Sequence, residues 1–544
     1  MVDDAADGQL FEVPESSEVR SGRGGVDKKF RAYMPDQMWL MPPSVDDWVP
    51  QDHLARFVSE LVDEVFDLDR FYAAYTEKRG FPPYDPRLMV KLFVYGYTTG
   101  VRSSRAIEKH CHENVPFRFL AANQQPDFRS VARFRERHLE ALEDLFNQIL
   151  MLCVEAGMVA LGEVALDGSK VRANASRRKA GSYGRMTETE ARLAGEVAQM
   201  MADAEAADAA DDEKYGPDGR HEDLPGEMAR RETRLAKIHQ AKTDLEADAR
   251  RTAGADAARK AWHRGRTNNP GPTQDGGTAT GTRPAKGPRP SGSGPAGGDG
   301  HEPSNSEPSD QPEGPAPTPD AGGGGGLARE DLVHQAADDA AGTATPETKA
   351  QRNFTDPDAR IMKTSDGSFH YCYNTQTVAD GASQVIVATR LTNRSADSKE
   401  FGPMIDEVTR NLGVTPPIVL ADAGYFSDDN VAAAQHRGVD AYIATGRLKH
   451  ADRPPPAPRG PIPKDATPKQ RMARKLRTKT GKTRYARRKA IIEPVFGQID
   501  TVQGGKHVLL RGLAAAQSEW TFLAAGHNIR KLHNHTRRQP KPGS

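Results

Sequence analysis

Cysteine is scarce in this 544-residue chain: Cys111, Cys153 and Cys372 lie far apart, with no CxxC pair among them. That spacing excludes a disulfide framework and a sulfur-ligated zinc site. Aromatic residues make up only 6%, while Gly and Pro number 50 and 39, so a sizeable fraction of the chain is expected to stay out of any packed core. Long apolar runs are missing too. The most apolar region, around 145–166, is broken by Asn147, Gln148, Glu155 and Glu163, which excludes a membrane span. The opening MVDDAADGQLFEVPE is acidic and lacks the basic-then-apolar pattern of a secretory signal. A soluble protein of a reducing, cytoplasmic compartment is expected, with no membrane partner.

Net charge is also absent, but only on average. Lys plus Arg and Asp plus Glu both number 75. From Arg447 to Ser544 there are 23 basic against 5 acidic residues, a net of +18, so residues 1–446 carry the compensating −18. Charge segregated in this way points to a polyanion as the partner of the basic part. At roughly 100–200 residues per domain the length allows three or four units.

Residues 1–29 are polar and Gly-rich and read as a disordered tail. Helical patterning dominates 30–155: Phe57, Leu61, Val65, Leu68 and Phe71 recur as one buried helix face would require. Asp85-Pro86-Arg87 opens a second helix that ends at Gly100, and Ser103 or Ser104 caps a third. Asp127 caps a short helix carrying Arg129, Arg133, Arg135 and Arg137. Two short helices joined by FRFLAANQQ fit an ordinary bundle with a solvated basic face, the reading that spacing alone favours, or a helix-turn-helix whose second helix would set these arginines against DNA. VALDGSK reads as a short strand ending at Asp167-Gly168. Residues 176–262 read as a helical insertion. The stretch 263–350 reads as a disordered Gly/Pro-rich insert, with 16 Gly and 11 Pro between 271 and 330. Order resumes with the strands FHYCYNTQTVAD and SQVIVATRLT, a helix ending at Gly413, the strand IVLA leading into Asp422-Ala423-Gly424, and the strand VDAYIAT. The basic run Lys464–Lys489 holds 12 Lys and Arg with one acid. A final apolar helix and a basic tail, 534–544, close the chain, with Trp520 read as a core residue of that helix.

Three acids stand out by their surroundings. Asp167 and Asp422 each end an apolar run and precede a small residue, and strand ends are where side chains reach a site without disturbing the core. Glu493 follows the cluster Arg487-Arg488-Lys489 in an otherwise basic and apolar segment. Taken singly, each acid fits a cap, turn or ion-pair role; together they fit phosphodiester chemistry, which is commonly run by two divalent cations about 3.5–4 Å apart. Mg2+ needs only one or two carboxylates plus phosphate oxygens and water.

Several stretches in order resemble the DDE transposases of bacterial insertion sequences, specifically the family numbered eleven-eighty-two. They are FRAYMPDQMWLMPPSVDDWVPQDHLARFV, YDPRLMVKLFVYGYTTGVRSSRAIEKHC, PDFRSVARFRERH, VALDGSKVRANASR, DPDARIMKTSDGSFHYCYNTQ, IVLADAGYFS and KLRTKTGKTRYARRKAIIEPVFGQID. The resemblance implies an α/β RNase H-like catalytic domain, a mixed sheet with flanking helices, split by the insertion into 156–175 and 351–533. An all-α, helix-turn-helix-like domain for the element's ends, 30–155, would precede it. It implies that Asp167, Asp422 and Glu493 are the catalytic, metal-binding triad for a two-metal Mg2+ site, with Mn2+ as substitute. Arg129, Arg133, Arg135, Tyr485, Arg488 and Lys489 would bind DNA, and Asp356, Arg360, Asn374 and Gln376 would position. The implied activity is cleavage at terminal inverted repeats and strand transfer into target double-stranded DNA by a nucleoid-associated homo-oligomer. Tyr485, Arg488 and Glu493 fit the family's Tyr, Arg and Glu signature, with four residues between Arg and Glu; the Lys expected seven after Glu493 is Asp500, with Lys506 as a substitute. That acid sustains a second reading, a transposase-derived DNA-binding repressor without catalysis; a third is an RNase H-like nuclease that cuts without strand transfer.

Overall fold

The computed structural model describes residues 44–76, 82–215, 226–267, 324–446, 456 and 459–538. The tail expected at 1–29, most of the Gly/Pro-rich insert and the last residues of the basic tail lie outside them.

The first part is helical: α1 (Leu54–Glu60), α2 (Asp69–Ala73), α3 (Pro86–Thr99), α4 (Ser104–Glu113), α5 (Val115–Leu120), α6 (Phe128–Arg137) and α7 (Leu139–Glu155). The periodicity from Phe57 to Phe71 does not give one continuous helix. A π turn over Leu61–Val65 shifts the register between α1 and α2, so Leu61, Leu68 and Phe71 stay buried while Val65 is 49% exposed. α3 behaves as its sequence predicts. Asp85 accepts from the Arg87 N–H, Pro86 needs no partner for a missing N–H, and Gly100 closes the helix at φ 90°. Gly100 is also sterically required, since a Cβ there would sit 2.5 Å from the Val502 carbonyl oxygen. Between α4 and α6 the expected connector is itself partly helical, forming α5, and α4 packs on both of its neighbours.

β1 (Val164–Arg172) then begins the sheet. β2 (Ala180–Ser182) pairs with β3 (Gln351–Asn353) in a separate ribbon that brackets α8 (Tyr183–Tyr215), α9 (Gly226–Thr267) and α10 (Gly324–Thr343). Met186, Leu193, Ile238, Ala241 and Leu245 form a small core between α8 and α9, and α10 packs along α9. Residues 324–343, given by composition to the structureless insert, are therefore helical: their Ala-rich run has a partner surface that local composition does not reveal. The remaining elements are β4 (Arg360–Lys363), β5 (Phe369–Asp380), β6 (Ile386–Thr392), α11 (Phe401–Leu412), β7 (Ile418–Ala421), α12 (Asp428–His436), β8 (Asp440–Ile443), α13 (Pro468–Arg477), α14 (Lys479–Val502) and α15 (Leu513–Thr536).

The main sheet runs β4-β5-β1-β7-β8, with β6 also on β5. β4 and β6 share one edge of β5, pairing with Phe369–Cys372 and Asn374–Ala379 respectively, while β1 takes the other edge. β5 is antiparallel to β1, β4 and β6, whereas β7 runs parallel to β1 and β8 parallel to β7. This is the mixed sheet with flanking helices that the resemblance implies. The buried apolar runs Val164–Leu166 and Val419–Ala421 are what an interior parallel pair requires.

The helical part is locked to the sheet part by one buried ion pair. Arg102, after α3, meets Glu519 on α15 at 2.9 Å, with side-chain exposures of 4% and 0%. The other Glu519 oxygen accepts the Leu509 and Leu510 N–H groups, and Arg102 also donates to the Gly504 and His507 carbonyls. Both carboxylate oxygens and three guanidinium donations are thereby engaged, and such added hydrogen bonds are the condition under which a buried pair repays its desolvation. Arg102→Met strands the Glu519 carboxylate and is expected to cost about 3–5 kcal/mol in urea unfolding. The double variant with Glu519→Leu should lose less; a single variant within about 1 kcal/mol of wild type would contradict this role.

Candidate active site and nucleic-acid interface

The sheet brings two of the three predicted acids together. β1 and β7 pair in parallel, ending with Leu166 opposite Ala421. The next residues, Asp167 and Asp422, therefore leave adjacent strands at the same level, on strands about 4.8 Å apart. Asp167 does not end its strand, contrary to the expectation that the strand stops at Asp167-Gly168. β1 continues to Arg172 because β5 pairs with it throughout, Asp167 lying opposite Thr377 and Gly168 opposite Gln376. Gly168 is there for space: a Cβ would come within 2.7 Å of Gln376 Nε2 and 2.9 Å of Asp397 Oδ1.

α14 covers this point. The Arg488 guanidinium donates to Asp167 Oδ2 at 2.7 Å, both side chains being largely buried, and Arg488 lies over the Tyr485 ring. Burial pushes the Asp167 carboxyl up, Arg488 pulls it down and Asp422 pushes it up again. Burial likewise raises the Tyr485 phenol, with Arg488 opposing. Asp422 caps a short turn by accepting the Gly424 N–H at 2.8 Å.

A further acid, Asp397, sits beside this pair and was not among the sequence candidates. Its Oδ1 accepts from Asn374 Nδ2 (2.7 Å), Gln376 Nε2 (2.9 Å) and Lys170 Nζ (3.2 Å). Its Oδ2 lies 3.1 Å from where a Gly424 Cβ would stand, and Asp422 Oδ1 lies 3.0 Å from the same point. The buried Tyr425 hydroxyl donates to Gln376 Oε1. Its phenol is held well above the ordinary value by burial and then by Asp397, Asp167, Asp422 and Glu400. Lys170 and Gln376 lie on the strand pair that carries Asp167 but, by alternation, on its other face; Asp397 comes from a 3-10 turn, Asp397–Lys399, whose sequence has no periodicity to read.

Of the positioning candidates, Asn374 and Gln376 thus support the acidic site from beneath. Asp356 and Arg360 lie elsewhere. Asp356 is fully buried and accepts from the Tyr373 hydroxyl (2.7 Å) and the Gly512 N–H (3.2 Å). Arg360 ties the insertion to the sheet through Asp248 on α9 at 2.8 Å, a residue that Arg352 also holds.

Glu493 stays apart. It is exposed on α14, five residues past Arg488. Five residues advance a helix by about 7.5 Å and turn it about 140°. Among the described residues no group of three or more His, Cys, Asp or Glu is arranged to hold a metal ion. The oxygen-only donors that do converge, Asp167 and Asp422, nonetheless match what a hard divalent cation takes from protein when phosphate supplies the rest.

The basic surfaces divide in the same way. Arg129 and Arg133 are exposed on α6, whereas Arg135 turns inward to the Arg102 carbonyl and the Ser104 hydroxyl. Lys489 is exposed. Within the basic run, Lys475 and Arg484 are engaged by Asp440 and lie over the Tyr442 ring, fastening α13 and α14 to β8. Burial raises the Asp500 carboxyl, with Lys506 opposing. Trp520 is a core residue, as expected, with its indole N–H on Thr389 Oγ1 at 2.8 Å. Among the described residues no helix is long and apolar enough to cross a membrane.

Asp397→Ala would leave the buried Gln376 Nε2 without its acceptor and take from Asn374 Nδ2 one of two, the other being the Arg394 carbonyl. At about 1–3 kcal/mol for an unpaired buried group, a loss of that order is expected by chemical denaturation, and an unchanged midpoint would refute the clamp.

Two comparisons with known families bear on this geometry. Residues 43–137 match the family model Transposase domain (DUF772), and residues 339–529 match the model Transposase DDE domain. The second span includes Asp422 and Glu493, while Asp167 falls between the two. No curated protein and no solved structure matches the chain.

Proposed function

We propose that this chain, which belongs to the DDE transposases of insertion sequences, binds the terminal inverted repeats of its element, nicks them and transfers the freed 3′ ends to target DNA. The observation that carries the reading is the placement of Asp167 and Asp422 side by side where the β1–β7 pairing stops, under Arg488 and Tyr485. The sheet order supports an RNase H-like fold, and the order of motifs supports the family numbered eleven-eighty-two. The setting is the bacterial cytoplasm, on the nucleoid, with the two ends held by a homo-oligomer.

Asp167 and Asp422 would hold the divalent ions, Mg2+ or Mn2+, with Glu493 joining them in the DNA complex. Bound there, such ions supply an activated water and a clamp on the attacking and leaving oxygens. Glu493 has a means of approach in its neighbour. Pro494 has no N–H for the Ala490 carbonyl, so α14 lacks one of its own hydrogen bonds just there, and the Gln384 amide fills the place at 2.8 Å. Arg488, which neutralises Asp167 in the free protein, is placed to turn to a DNA phosphate once cations take over that role. Exposed Arg129 and Arg133 of α6 would face the repeat, and exposed Lys489 the strand at the site; Arg135 serves the fold first. The sheet beneath holds the acids still through Asp397, Asn374 and Gln376.

One observation favours a second reading. Glu493 stands away from the pair, and Asp500 replaces the basic residue of the family signature; a DNA-binding repressor needs neither. A nuclease without strand transfer is separated by its products.

The test uses the full chain, Mg2+ and labelled duplexes carrying the repeats that flank its own gene. Asp422→Asn and Glu493→Gln should each reduce end nicking at least about a hundredfold, the scale of losing one transition-state contact, while end binding persists. Tight binding with no nicking by any form would favour the repressor. Nicking without joined products would favour the nuclease.

A further inference from the structure

A second basic site lies one residue along α14 from the acidic one. Arg488 turns to Asp167, and Arg487 turns the other way, to Glu163 at 2.8 Å. Arg487 there forms one wall of a cavity of about 460 Å³, whose other walls are the β5–β6 turn at Gly381–Gln384 and the end of α15. Arg487, Lys531 and Arg538 line it with His535, and no acidic residue does.

The cavity is built rather than incidental. Gln384 adopts φ 64°, the left-handed region that a non-glycine residue enters at a cost. It is held there from several sides. Asp380 Oδ2 accepts the Ala382 and Ser383 N–H groups at 2.9 and 3.1 Å, and the His527 ring meets the Gln384 carbonyl at 3.0 Å. The Gln384 side chain then does two things: its amide N–H completes α14 at Ala490, and its Oε1 accepts from Lys531 Nζ at 2.7 Å. The Lys531 ammonium is thus fixed in the cavity by a neutral partner. Burial lowers its pKa and the neighbouring Arg538 charge lowers it further. Arg487 has its acid in Glu163; among the described residues no acid pairs with Lys531 or Arg538, and an anion would complete them.

We propose that this cavity is a second phosphate-binding site, seating the DNA backbone as a strand passes from the acidic site along α14. The inference rests on the reading of the chain as a DNA transposase. The adjacency of Arg487 and Arg488 on α14 is what makes a continuous polyanion the occupant: one residue of the helix separates the arginine at Asp167 from the arginine that lines the cavity.

Counter-ion release gives the test. Binding of a fluorescent duplex carrying the element's end is followed by anisotropy over a range of salt, in EDTA so that no cleavage intervenes. Each phosphate contact contributes about −0.9 to the slope of log K against log salt. Lys531→Gln with Arg538→Gln should therefore flatten the slope by about two units and weaken binding, whereas Lys531→Arg should keep the wild-type slope. Thermal melting of the same samples checks that the fold is intact; if the double variant does not fold, Arg538→Gln alone should flatten the slope by about one unit. An unchanged slope in a folded variant overturns the second site while leaving metal-dependent end cleavage, and hence the main reading, untouched. Failure of the wild-type chain to bind the end duplex at all overturns both.

Discussion

The parallel pairing of β1 with β7 ends at Leu166 opposite Ala421, and the site depends on that termination. Up to it, both strands are apolar and buried; one residue on, both present a carboxylate. Because the two strands are in register and point the same way, neither acid needs a special loop to find the other. β5 supplies what β7 withdraws. By pairing with β1 through Arg172, it keeps Asp167 on a rigid strand and brings Asn374 and Gln376 beneath it. Loss of either pairing would move Asp167 relative to Asp422 and remove the closeness on which any shared cation depends.

Gathering acids in this way is electrostatically costly, and the surrounding structure shows how the cost is met. Arg488 neutralises Asp167 directly, and three donors converge on one oxygen of Asp397. Tyr425 stays a neutral phenol amid four carboxylates and passes its proton to Gln376 as a hydrogen bond. Acids gathered in this way must find such internal partners, since an unpaired charge in a low-dielectric setting is not tolerated. On the far side of α14 the charge imbalance has the opposite sign, so the helix separates an acidic face from a basic one.

Much of this was legible in the sequence where local chemistry and tertiary packing agree. Asp85, Pro86 and Gly100 marked α3 because caps act within a few residues, and DGAS marked the β5–β6 turn for the same reason. The parallel strands were visible as short apolar runs, and the acids that end them as departures from apolarity. What was missed depended on distant partners. β1 read as ending at Asp167-Gly168 because its β5 partner is some two hundred residues away. Val65 read as buried because a π turn leaves no periodic mark. Residues 324–343 read as insert because α9 lies beyond a long low-complexity stretch. Asp397 had no pattern of its own and is defined only by the side chains that converge on it. Glu493 stood out by its basic surroundings and was joined to the triad through resemblance, and the geometry of α14 gives it a direction of its own, toward solvent.

The claim that Asp167 and Asp422 are the cation-holding pair can be tested most directly by crystallography of the chain bound to its element's end DNA, with Mn2+ located by anomalous scattering. The account predicts a peak within coordination distance of both carboxylates, about 2.0–2.6 Å for a hard cation on oxygen, with the Arg488 guanidinium withdrawn from Asp167 and Glu493 turned toward the ion. A peak bound by other residues, or an Arg488–Asp167 pair still closed in a complex that cleaves, would contradict it.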